Sequence, residues 1–220
     1  MKWGNIKNMA MAFDFKKEYK DLYSPKTSPT LIDIPEMVFI MVDGKGNPNT
    51  SEEYKSAVEL LYGISYTIKM NKSDGAQPAG YFAYVVPPLE GLWQLDDGAG
   101  DWYADKDQYR WTSMIRQPEF VDLSVFETAK MDLSNKKPNL DASRARLETY
   151  TEGLCVHAMH IGPYDDEPRT NAAIAQYIAD HGYISAIGDA RRHHEIYLAD
   201  PRKTAPEKLR TIIRHPITKS

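Results

Sequence analysis

The sequence predicts a mixed α/β (α+β) fold, in which duplicated strand–helix–strand–strand units form one pseudo-twofold domain with a central cleft. Three observations lead there. First, Phe39-Ile40-Met41-Val42-Asp43-Gly44 precedes a loop and a helical stretch, and His157-Ala158-Met159-His160-Ile161-Gly162 does the same. Second, the halves close alike, with Met114-Ile115-Arg116-Gln117-Pro118 in one and Ile212-Ile213-Arg214-His215-Pro216 in the other. Third, period-2 and period-3.6 segments follow one another in the same order in each half. One such unit cannot bury a sheet face alone. Pairing two gives a single domain with helices on one side, and the opposite face is expected to curl around the cleft.

The elements follow in order. Residues 1–29 read as an N-terminal extension and linker. Phe13, Phe15, Tyr19 and Leu22 form a weak helical stripe able to dock on the body, and Ser24–Pro29 is linker-like in its Pro and Ser content. The domain proper spans 30–220, with pseudo-repeats over 30–140 and 145–220. A strand is expected over Thr30–Asp43 and a loop over Gly44–Asn49. A helix follows, capped by Thr50 or Ser51 and running to Met70, with Tyr54, Val58, Leu61, Tyr62, Ser65 and Ile68 along one face. Gly80–Val86 reads as a second strand ended by Pro87-Pro88, Leu89–Leu95 as a third and Tyr109–Arg116 as a fourth. Pro118–Lys137 reads as a helix. The second half repeats the order: a strand over Arg146–His160 with a break at Glu152-Gly153, then a Gly162–Pro168 loop. A helix over Thr170–Asp180 is stopped by His181-Gly182. After a connector over Ile184–Ala190 come strands over His193–Leu198 and Arg210–Pro216.

Bulk properties exclude several classes. With 42% hydrophobic and 26% charged residues the chain is globular in composition. A net charge of −4 and the absence of a basic run argue against nucleic acid as a partner. No apolar run has the ~18 residues of a membrane span, and the N-terminus has no secretory pattern, so no membrane partner is expected. A lone Cys155 fits a reducing, cytoplasmic setting. Tyr, Trp and Met are abundant, as in proteins that bind flat or greasy molecules.

Strand register then nominates a site. On His193–Leu198, Ile196 and Leu198 point one way, and His193, Glu195 and Tyr197 the other. Aligning Gly44 with Gly162 groups Phe39 and Met41 with His157 and Met159 on one face. Matching Tyr84 to Tyr197 places Phe82 opposite Glu195, and Trp111 shares a face with Tyr109 and Ser113. The expected cleft is therefore lined by Phe39, Met41, Phe82, Tyr84, Trp111, His157, Met159 and Tyr197 around one acid, Glu195. Tyr62 or Tyr66 is expected at its rim. A carboxylate among rings is a candidate general base, and equally an anchor for an aromatic or cationic ligand. No metal is expected. His193 and His194 are adjacent on a strand and face opposite sides, and the acids at 96, 97 and 101 lack the spacing of a calcium loop. Gly98-Ala99-Gly100 lacks a nucleotide-binding context and reads as a lid hinge. No cofactor is called for.

The run His193–Lys203, with Pro206-Glu207-Lys208-Leu209 and Ile213-Arg214-His215-Pro216 after it, resembles the GyrI-like small-molecule-binding family. The resemblance covers residues 30–220 and is most specific in this final motif. It implies the duplicated fold, multidrug binding, and an acid at the bottom of an aromatic pocket, a position that Glu195 matches. It also points to a stand-alone branch, the hydrolases that open the cyclopropane of yatakemycin- and duocarmycin-type alkylators. There a glutamate and nearby tyrosine or aromatic groups activate water, which implies Glu195 and Tyr197 as the catalytic residues. Trp111 and the Trp102-Tyr103 pair follow from local register. The function expected is thus detoxifying hydrolysis of strained aromatic xenobiotics. The alternative is a non-catalytic multidrug-binding or sequestration protein. A protein partner such as gyrase is suggested by the family name alone.

Overall fold

A computed structural model describes residues 12–70, 77–96 and 106–219. The long strands are bent and serve two neighbours each. β1 (Thr30–Lys45) pairs through its first part with β4 (Arg146–Ile161) and through its second part with β3 (Tyr109–Arg116). The end of β4 pairs with β7 (Arg210–Lys219), which pairs with β6 (His193–Tyr197), which pairs with β2 (Leu89–Leu95), which returns to β3. All these pairings are antiparallel, so six strands close into a barrel with no free edge. A short β5 (Tyr183–Ser185) extends it from β7. Both halves run strand–helix–strand–strand, and in both the last strand pairs between the other two.

Three helices cover the outside. α3 (Glu52–Met70) and α4 (Leu123–Lys136) bury Leu60, Leu61, Ile64, Phe126 and Leu133 against Ile40, Val42, Trp93, Trp111 and Ile115 of the sheet. α5 (Glu167–Asp180) buries Ile174 and Ile178 against Val156, Ala158 and Ile213. The inside is filled differently. Phe39, Met41, Leu92, Met114, Met159, Ile196 and Ile212 meet Phe15, Leu22 and Tyr23 of two short N-terminal helices, α1 (Phe15–Glu18) and α2 (Lys20–Tyr23). The N-terminal segment is thus part of the core. Arg116 stacks on it, 4.7 Å from the Phe15 ring centroid and 4.5 Å from that of Tyr19.

The structure moves some expected boundaries. Gly80–Val86 is not a strand of the sheet. It makes one parallel bridge, from Tyr84 to Phe13, with the Phe13 amide donating to the Ala83 carbonyl at 2.8 Å. Pro87 and Pro88, which lack backbone donors, follow, and the barrel closes without it. α4 begins after Asp122, whose carboxylate accepts from the Val125 amide, and α5 begins at Glu167 with Pro168 in its first turn. The break at Glu152-Gly153 is a bend within a continuous β4, with Gly153 at φ 69°.

The largest correction concerns which face is open. The face opposite the helices does curl, but into a closed and filled barrel. The open cleft lies on the helix side instead, in the gap between α3 and the start of α5.

Candidate functional site

The side chains of β6 alternate, so His194 and Ile196 enter the barrel while His193, Glu195 and Tyr197 face outward. Across β2 the outward neighbours are Gly91, opposite Glu195, and Trp93, opposite His193. A Cβ on Gly91 would lie 2.5 Å from Trp93 Nε1, so glycine is what lets the indole lean over the strand. The result is a cavity of about 1010 Å³, walled by Tyr54 and Tyr62 of α3, Trp93 of β2 and Tyr164 before α5, with Glu195 and Tyr197 at its floor.

Glu195 is buried and closely held. His193 Nε2 lies 2.9 Å from its Oε1, and the Tyr197 hydroxyl donates to its Oε2 at 2.7 Å. Trp93 Nε1 donates to the Tyr197 hydroxyl at 3.0 Å, and Tyr164 meets the Tyr197 ring edge-on at 5.9 Å. His193 Nδ1 lies 2.8 Å from His215 Nε2. Glu167, from the first position of α5, hydrogen-bonds the Glu195 carboxyl. Burial pushes the Glu195 pKa up, but the hydrogen bonds and charge from His193 and the Tyr197 hydroxyl outweigh it, so the group stays below the ordinary carboxylate value. Glu167 has only the charge of Lys106 to oppose that rise. Burial, and then the charge of Glu195, push it up to about 10. Burial and Glu195 hold the Tyr197 hydroxyl well above its usual range. At neutral pH the floor therefore holds one carboxylate, one carboxylic acid and a neutral tyrosine.

Of the residues nominated by register, Glu195 and Tyr197 come together at this floor. Tyr62 and Tyr66 line the cavity wall. Trp111 shares the outer face but is sealed beneath Tyr54, whose ring stands on it at 5.1 Å. Phe39, Met41, Tyr84 and Met159 pack inside the barrel, and Phe82 packs at its rim against Phe13 and Phe120. His157 also faces inward. It is paired in register with Arg214, and burial and then the Arg214 charge lower its pKa to about 4. The grouping of these six with Glu195 is thus corrected: β1 and β4 turn Phe39, Met41, His157 and Met159 to the face that the closed barrel encloses and the N-terminal helices fill, and Phe82 and Tyr84 pack against the same cluster from the segment bridged to Phe13. Trp102-Tyr103 and Gly98-Ala99-Gly100 lie outside the described residues.

Reading the sequence missed Tyr54, Trp93, Tyr164 and Glu167. Trp93 carries the clearest signal, since Leu89–Leu95 reads as a strand and its odd positions share a face. Among the described residues, no three His, Cys, Asp or Glu side chains are arranged to hold a metal ion, and no helix is long and apolar enough to cross a membrane.

The model of the GyrI-like small molecule binding domain matches residues 27–218. Two solved structures described as hydrolases from Listeria innocua are similar to this chain. One shares 47% identity at a TM-score of 0.85, the other 48% at 0.86, and each match covers 94% of this chain and 100% of that chain. A third, an uncharacterized conserved protein from the same organism, shares 49% identity at 0.89 over the same extents. The C-terminal domain of EcmrR has the same fold, at 14% identity and a TM-score of 0.53, covering 87% of this chain and 98% of that chain. No protein of curated function matches.

Proposed function

The chain belongs to the GyrI-like small-molecule-binding family, and from that premise we propose that its cleft takes up hydrophobic aromatic molecules and hydrolyses strained electrophilic ones, opening a cyclopropane with water. One observation carries the reading: Glu195 is an ionised, buried carboxylate at the floor of an aromatic cavity. That two proteins nearly half identical to this one are described as hydrolases supports it.

The chemistry follows from the donors. A carboxylate offers about four lone-pair positions. His193, Tyr197 and Glu167 occupy three, which leaves one for a water. The water oxygen bonds to the strained ring carbon and its proton passes to Glu195. The ring C–C bond breaks, and its electron pair moves through the conjugated substrate to a carbonyl oxygen, which becomes a phenol on taking a proton. Tyr197 holds the base in position, and Trp93 fixes Tyr197. The walls stack on the flat substrate. Such an electrophile is already reactive, so a positioned base supplies much of what is needed. The lone buried Cys155 supports a cytoplasmic setting for this detoxification.

A second reading, sequestration without chemistry, draws on the same carboxylate, because its charge and the surrounding rings suit cationic aromatic ligands. The deciding experiment incubates the protein with a duocarmycin-type cyclopropane and follows the water adduct by mass spectrometry. Glu195→Gln is expected to slow turnover roughly 10²–10⁴-fold. Turnover that survives the substitution sinks the base assignment, and stoichiometric binding without product favours sequestration.

A further inference from the structure

One buried acid of the cavity is left unused by the reaction above. Glu167 is 6% exposed, lines the same cavity as Glu195 and is hydrogen-bonded to it. Two carboxylates in that contact have no proton to share between them, so the pair must hold one. Tyr197 donates to one oxygen of Glu195 and the His193 ring lies 2.9 Å from the other, so the charge is best held on Glu195 and the proton on Glu167. One oxygen of Glu167, Oε1, is buried and accepts from no donor among the described residues. The remaining groups near it are Lys106 and Asp165, paired with each other at 3.0 Å, and the hydroxyls of Tyr164 and Tyr197.

We propose that Glu167 is the general acid of a Glu167–Glu195 pair, and that this pair gives the protein a second activity, the hydrolysis of aryl-substituted epoxides. The proposal rests on the reading of Glu195 as base. The water oxygen bonds to the benzylic carbon while Glu195 takes the water proton. The C–O bond breaks, its electron pair stays on the epoxide oxygen, and that oxygen takes the Glu167 proton to give a diol. Glu195 is then protonated and Glu167 ionised. Their hydrogen bond returns the proton directly, so the pair resets without solvent. An alkoxide is far more basic than a phenolate and leaves poorly without a proton. Epoxides therefore need the acid more than the cyclopropane does. With Glu167 raised to about 10 and Glu195 held below the usual range, the one-proton state spans neutral pH, and epoxide turnover should fall as pH rises through about 10.

The test compares two probes, trans-stilbene oxide and a duocarmycin-type cyclopropane, on wild type, Glu167→Gln and Glu167→Asp. Unreactive trans-stilbene, followed by tryptophan fluorescence, reports cleft integrity. Wild type should form the diol. Glu167→Gln should lose roughly 10²–10⁴-fold on the epoxide and at least about tenfold less than that on the cyclopropane. Glu167→Asp, which keeps a proton to give, should recover part of the epoxide rate, and it serves if the glutamine variant does not fold. Equal losses on both probes, or none on the epoxide, overturn the acid role. Wild type that opens the cyclopropane and leaves the epoxide intact overturns the second activity alone. Wild type inert to both overturns the hydrolase reading and this proposal with it.

Discussion

His194 and Glu195 are consecutive residues on one strand, and each belongs to a buried histidine–carboxylate cluster, yet the two clusters are built for different ends. Inside the barrel, His194 Nδ1 lies 3.0 Å from Glu152 Oε2 and its Nε2 lies 3.0 Å from Glu90 Oε2. Arg214 reaches Glu152 at 3.3 Å and donates to the Leu22 carbonyl at 2.8 Å. Two acids are thus matched by two cations, and the N-terminal helices close over them. None of the four lines the cavity. Outside, two acids face each other with one proton between them, and the cavity opens onto both. Perturbed titration marks both clusters, so it cannot by itself mark a site. Access makes the difference, since among the described residues both clusters leave buried polar atoms without a hydrogen-bond partner, Glu152 Oε1 and Arg214 Nε inside and Glu167 Oε1 outside.

The largest expected effect breaks the inner cluster. Glu152→Ala leaves Arg214 and His194 buried without their shared acid and should cost about 3–5 kcal/mol in urea unfolding. Phe15→Ala, which unplugs the same interior, should also cost about 3–5 kcal/mol. Glu195→Gln should stay within about 1 kcal/mol of wild type, since the amide still accepts from Tyr197 and a buried charge is removed. If Glu195→Gln destabilised as much as Glu152→Ala, the outer cluster would be structural too, and the contrast would fail.

A smaller effect separates the clusters by pH. Burial lowers the pKa of His194, but Glu152 and Glu90 outweigh it and raise it from 6.5 to about 9. The folded state thus binds this proton more tightly. The stability it contributes is complete below pH 6.5 and is lost as pH rises through about 9. His157 has the opposite sign. Its folded pKa of about 4 means that stability falls as pH drops from 6.5 toward 4. Burial raises Glu152 but His194 and Arg214 take it down to about 2, so its contribution, present above pH 4.5, is lost toward pH 2. Melting temperature should therefore peak near pH 6.5 and descend on both sides. Glu167, raised from 4.5 to about 10, adds to the alkaline descent, so His194→Gln should make that descent shallower without abolishing it, and leave the acid one. An unchanged alkaline descent would show that His194 is not among the groups responsible.

How much of this was legible follows from which faces are buried. The outward pairing of Glu195 with Tyr197 follows from period 2 alone, and β6 delivers it. The place of Phe39, Met41 and Met159 does not follow from it. β1 is buried on both faces over Phe39–Val42, so its pattern cannot say which face meets helices and which meets the N-terminal plug. That choice is made by closure of the sheet through the β4–β7 pairing, between segments far apart in sequence. Glu167 was hidden for another reason. It stands in a run of acids before Pro168, where a solvated loop is the default reading, and only packing of the α5 start against β6 buries it. Tyr54 was legible as helix stripe. It serves both uses, covering Trp111 and walling the cavity.

Within the outer cluster, Tyr197→Phe removes one of the donors to Glu195. A hydrogen bond to a charged group is worth about 1.5–3 kcal/mol. Cyclopropane turnover should therefore fall roughly 10- to 100-fold, through kcat more than KM, and urea unfolding should show a stability loss of about 1.5–3 kcal/mol beside it. A loss confined to KM would make Tyr197 a wall of the cavity and no more.

The smallest effect is expected at the cavity edge. Lys106 pairs with Asp165 at 3.0 Å, but the Asp165 side chain is 84% exposed, and such pairs are worth about 0–1 kcal/mol. Its value lies in direction. Lys106 is a positive charge that partly offsets the rise of the Glu167 pKa. Lys106→Met removes that opposition, so Glu167 should hold its proton more firmly and the alkaline limb of epoxide turnover should move to higher pH. The rate at neutral pH should stay within about twofold and the melting temperature close to wild type. A limb that moves to lower pH would mean that the group titrating there is not an acid facing Lys106. The alkaline limit of the outer cluster would then belong to some other residue, and Glu167 would stand beside the chemistry as the inner acids do.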